Sequence, residues 1–221
     1  MNLGRHVKYW GRNALAWTGV SLGCALGFWL LQGLSGTRYV QGTGLAATFL
    51  VYLSVIGAFV SVIAVISEFQ LEIPRLVSLN VTRKAAVWGL VAGHGATAFL
   101  HMLLGVLAWC IFGSGAVDEA VFIISLLASV MLGFGCAGVL LGAAVLRWGK
   151  IGSIIMAAAI MVMSGALGGF IAMQGKDFLQ GTTLEKILEY NLWPLALIMA
   201  VLYLAAGAVA ALLTRKIEVR V

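Results

Sequence analysis

Six continuous apolar runs, each long enough to cross a hydrocarbon core of about 30 Å at 1.5 Å of helix rise per residue, constrain this chain most. They fall at Ala14–Leu34, Leu45–Ile66, Ala85–Phe112, Ala120–Leu146, Ile151–Gln174 and Trp193–Leu213. In lipid a backbone must satisfy its own hydrogen bonds, which leaves helices or closed barrels. The runs lack the in–out alternation of barrel strands, so the expected fold is all-α and integral to the membrane, with six transmembrane helices. With 62% hydrophobic and only 10% charged residues, a soluble fold is excluded.

Charge placement sets the expected orientation. With the N-terminus inside, eleven Lys and Arg fall on the inner side, from Arg5 to Arg220, and three, Arg38, Lys176 and Lys186, on the outer side. Both termini are therefore expected in the cytoplasm. The net charge of +6 is spread over span ends that face lipid headgroups, so the bilayer is the expected partner of these cations and nucleic acid is not. Trp10, Trp17, Tyr39, Trp88, Trp148, Tyr190 and Trp193 fall near the expected interfaces.

The polar stretch Ser67–Lys84, SEFQLEIPRLVSLNVTRK, combines a helix breaker with clustered positive charge between the second and third spans. Pro74 can open a short helix, because its missing N–H is not needed in a first turn. Leu76 and Leu79 then share a side, Asn80 can end the helix, and Thr82 can cap the next one. Arg83 and Lys84 would lie at the membrane surface beside Arg75.

Residues 1–13 suit either an amphipathic lead-in helix, with Leu3, Val7 and Trp10 on one side, or a basic topogenic tail. The following apolar run is too long for a signal peptide and lacks its cleavage site. In the outer loop 175–192, Thr182 and Glu185 match a capping box, which predicts a short outer helix before the last span. No repeat or soluble segment divides the chain, so residues 1–221 read as one transmembrane domain. Cys24, Cys110 and Cys136 lie in apolar segments without metal or redox spacing and read as packing residues.

Two patterns inside the spans carry candidate roles. Gly19, Gly23 and Gly27 form a four-residue ladder, and Gly89/Gly93, Gly138/Gly142 and Gly165/Gly169 form shorter ones. Such ladders let helices approach closely. The shorter ones suit packing inside the subunit, whereas the first suits either that or a contact between subunits. His94 and His101, seven residues apart on the third span, share a face, with His94 near mid-membrane. An ionisable group at that depth is a candidate functional residue. The opposing reading is a neutral imidazole bonded to a neighbouring helix, since no acid in the spans offers a relay.

Catalytic motifs are missing: there is no GxSxG, no HExxH and no pair of intramembrane aspartates. GxxxxGK[ST] is also absent, so nucleotide phosphates have no cradle here. The expected chain is not an enzyme and binds no cofactor or metal itself.

The run Ser78-Leu79-Asn80-Val81-Thr82-Arg83-Lys84 resembles a Ser-x-Gly-Val-Thr-Arg-Lys/Arg pattern of small bacterial ABC-type exporter permeases, with Asn80 where Gly is usual. Asn is the next residue after Gly to tolerate a left-handed backbone. The resemblance extends to a basic lead-in, six spans and a helical outer insertion. It implies that Pro74, Arg75, Leu76, Leu79, Asn80, Thr82, Arg83 and Lys84 form a cytoplasmic coupling segment that docks a separate ATPase subunit. ATP and Mg would be held by that partner, and the permease would work as a homodimer or with a related subunit. A hydrophobic or amphipathic cargo, such as a peptide or lipid-like molecule, is expected, with His94 and His101 as candidate contacts on its path.

Two alternatives remain. A vitamin or metal importer component would bind one small molecule near Arg38, Tyr39, Asp177 and Tyr190. A non-transport assembly or immunity protein would act through helix contacts alone.

Overall fold

The structure, a computed structural model, describes residues 3–35, 45–79, 81–112, 117–159, 162 and 192–215. Among these the fold is entirely helical: α1 (Leu3–Ser35), α2 (Leu45–Ser78), α3 (Arg83–Phe112), α4 (Val117–Trp148), α5 (Lys150–Ala159) and α6 (Trp193–Leu213). Five of them, α1 to α4 and α6, are long and apolar enough to cross a membrane. The expected fifth span is described only over α5, which is too short to cross, and the expected outer helix at 175–192 lies outside the described residues.

The bundle is built around α2. Its apolar window is 61% buried, the largest share of the five, whereas α1 at 22% is peripheral. α2 packs against α1, α3 and α4, and α4 in turn packs against α6. Small residues set these approaches, as expected where lipid gives no hydrophobic drive for helices to associate. A Cβ on Gly142 would come within 2.6 Å of the Phe69 ring, and one on Gly138 within 3.1 Å of Val65. Gly93 of α3 is covered by Trp10 of α1, with a Cβ there 3.1 Å from the indole. The shorter ladders thus pack inside the subunit at these three positions. Among the described residues Gly19, Gly23 and Gly27 meet nothing within 4 Å, so the first-span ladder faces away from the described bundle.

Every described Lys and Arg lies at one end of the bundle, the basic end. There Arg147 donates to the Leu213 carbonyl at 2.8 Å and Arg83 to the Arg215 carbonyl at 3.4 Å, tying α4 and α3 to the end of α6.

Three expectations need correction. Residues 3–13 are not a separate lead-in, because α1 runs unbroken from Leu3 and its Trp10 and Ala14 are buried in the bundle. Trp10 is accordingly an interior residue and not an interfacial anchor, while Trp17 is half-buried and donates to Glu68. Pro74 does not open a short helix either. It sits inside α2, which continues to Ser78 because Ile73 and Leu76 on the same turns are buried in the core.

Candidate functional site

Two apolar clusters form the core. One, toward the basic end, includes Val65, Phe69, Leu90 and Val139, and the other includes Leu50, Leu53, Ala108 and Leu127. Between them lies a polar layer in which α2 contributes Ser54 and Ser61, α3 contributes His94, Thr97 and His101, and α1 contributes Thr18 and Ser21, all buried. His94 is about 16 Å along α3 from Arg83, deep in the bundle.

The layer is partnered in part: among the described residues Thr18 Oγ1, Ser21 Oγ and His101 Nε2 are buried without a hydrogen bond. His94 Nε2 is 3.0 Å from Ser61 Oγ on α2 and 3.4 Å from the Met131 carbonyl on α4. A carbonyl only accepts, so this contact places the imidazole proton on Nε2. Ser61 Oγ also lies 3.5 Å from the unprotonated Nδ1, which can accept its hydrogen. His94 also lies against Tyr203 of α6, with ring centroids 5.4 Å apart, and the Tyr203 hydroxyl donates to the Val91 carbonyl at 2.8 Å. His101 Nδ1 contacts the Thr97 carbonyl at 2.8 Å. Both rings need glycine opposite: Gly57 leaves room for His101, and Gly135 lies directly against His94.

Toward the basic end the layer continues into an acidic pair. Glu68 is only 7% exposed and accepts from Trp17 Nε1 at 3.1 Å. Glu72, one turn on, accepts from the Tyr9 hydroxyl and pairs with Arg75 at 3.7 Å. Asn13 lies within reach of both Tyr9 and Glu68. A cavity of about 10 Å³, enough for one water, opens between Glu68 and His94, with Asn13, Ser21, Ser61 and Thr97 in its walls.

His94 and His101 therefore share a face as the spacing predicts, and both are buried in the bundle. The expectation that the spans lack an acid is overturned by Glu68. It was assigned to the polar loop, whereas α2 carries it into the bundle on the same stripe as Ser54 and Ser61, each seven residues apart.

The corner between α2 and α3 is the other candidate region. The Val81 N–H closes α2 on the Leu76 carbonyl at 3.0 Å, the six-residue return of a Schellman closure, and both side chains are buried in one cluster. Asn80, at the position such closures usually give to Gly or Asn, lies outside the described residues. Leu76 is thus a core residue and cannot fill a groove on a partner, contrary to expectation. Leu79 is 59% exposed, and Arg75, Thr82 and Lys84 are exposed around it. Thr82 caps α3 as the sequence suggests, with Ala85 N–H donating to Thr82 Oγ1 at 3.4 Å.

Arg38, Tyr39, Asp177 and Tyr190 lie outside the described residues. Among the described residues no group of three His, Cys, Asp or Glu side chains is placed to hold a metal ion. Comparison with protein-family models, curated proteins and solved structures gave no match to this chain.

Proposed function

We propose that this chain is a permease subunit of an ATP-driven bacterial exporter, and that it passes movement from a cytoplasmic ATPase partner into the membrane. One observation carries the reading: α2 runs unbroken from the exposed corner around Leu79 to Ser61 and Glu68 in the polar layer. A displacement of the corner is transmitted along a stiff rod to the bundle centre, where Ser61 and Glu68 contact α3 and α1. The positive-inside rule puts the basic end, and with it the corner and both termini, in the cytoplasm.

The exposed coupling surface is Arg75, Leu79, Thr82 and Lys84, with Arg83 half-buried against the end of α6. The outward-facing ladder Gly19, Gly23 and Gly27 suits a second copy or a related subunit. The 10 Å³ cavity is far too small for a peptide or lipid, so cargo would pass between subunits.

The test is to purify the tagged chain from its native membrane in mild detergent and weigh the intact assembly. Two copies of the chain with two ATPase subunits are expected. A single copy carrying a bound small molecule would replace this reading with the importer component, and a dimer lacking any ATPase would remove it.

A further inference from the structure

The polar layer holds more hydrogen-bonding capacity than its protein partners use. Ser21 Oγ is fully buried, lines the cavity beside Glu68, and among the described residues has no hydrogen-bond partner. Ser61 faces the same cavity, with its hydroxyl against the His94 ring. Glu68 contributes carboxylate oxygens, yet among the described residues it has no cationic partner, since Arg75 is engaged with Glu72. An unpaired carboxyl inside a membrane bundle is costly as an anion and is relieved by taking up a cation. The space available admits only a water-sized one.

We propose that Glu68 is a proton-exchange site, served by a water in the cavity between Glu68 and His94. On uptake an O–H bond forms at the carboxylate, one O–H bond of a cavity hydronium breaks, and a water remains, hydrogen-bonded to Ser21 and Ser61. Release reverses the step. The titratable groups facing this site are Tyr9 from α1, Glu72 on α2 itself, His94 from α3 and Tyr203 from α6, while α4 presents the neutral Met131 and Gly135. Because Glu68 joins α2 to α1 through Trp17, its proton occupancy is linked to how these helices pack. The site goes beyond the motor-driven reading and does not rest on it.

Infrared difference spectroscopy of the full chain in lipid nanodiscs, with isotope-labelled glutamate, reads the proposal directly. A protonated-carboxyl C=O band that titrates with pH is expected. It should move with the label, vanish in Glu68→Gln and persist in Glu72→Gln. Should Glu68→Gln fail to fold, Trp17→Phe serves in its place, because removing the indole donor must shift the band of the same carboxyl. A band absent at every pH, retained in Glu68→Gln, or unmoved in Trp17→Phe overturns the proposal. Loss of the band when sodium replaces choline at fixed pH would also overturn it, by assigning the cavity to an alkali cation.

Discussion

Gly135 of α4 lies directly against the His94 imidazole of α3, in the space a side chain at position 135 would need. The contact fixes how closely α3 and α4 approach at the polar layer, and both partners are buried. Gly135→Ala must push the ring off Ser61 and Met131, so a destabilisation of about 1–3 kcal/mol is expected. Thermal unfolding in detergent measures it. Pairing the variant with His94→Ala should restore most of the loss, which separates this clash from a general intolerance of change on α4.

The two leucines of the corner should behave oppositely. Leu76 is buried against Val81, so Leu76→Ala is expected to cost about 2–5 kcal/mol of stability. Leu79→Ala should leave stability within about 0.5 kcal/mol and, on the proposed exporter reading, weaken retention of an ATPase partner during purification. If Leu79→Ala retains the ATPase fully, the docking surface lies elsewhere.

Tyr203 is the polar tie between α6 and α3. Tyr203→Phe removes the donor to Val91 while keeping the ring against His94, and a loss of about 1 kcal/mol is expected. Denaturant titration of the two proteins side by side checks it.

The outward ladder of α1 gives a test of association. Among the described residues nothing lies within 4 Å of a Cβ at Gly23, so Gly23→Leu should fold as well as the parent. If a second subunit packs there, the bulk of leucine must disrupt it, and native mass spectrometry would record a single subunit in place of a pair. An unchanged pair would move the subunit contact to another face.

Five of the six expected spans are legible because continuous apolar runs leave a chain in lipid little choice but helix. The sharing of a face by His94 and His101 and the capping by Thr82 followed from spacing and local chemistry. Glu68 was misplaced for a physical reason: its neighbours Ser67, Gln70 and Glu72 make the segment look like a loop, and only tertiary burial of Phe69, Ile73 and Leu76 draws α2 through it. The seven-residue spacing of Ser54, Ser61 and Glu68 was the available signal. Gly57 and Gly135 could not be paired with their histidines from sequence, since neither contact is local. Trp10 and Trp17 look like interfacial anchors by type, yet Gly93 and Glu68 on other helices provide their actual partners.

The gathering of the described Lys and Arg at one end also bears on how permanent the insertion is. Moving one elementary charge across a membrane potential changes its energy by about 2.3 kcal/mol per 100 mV, before any cost of leaving water. A bundle that tried to turn over would have to carry Lys8, Arg12, Arg75, Arg83, Lys84, Arg147, Lys150 and Arg215 through the hydrocarbon together, because contacts among α3, α4 and α6 hold that end as one piece. The choice of side is therefore made span by span during insertion, while each helix carries only its own few charges. Once the helices have packed, a protein in the wrong orientation has no thermal route back.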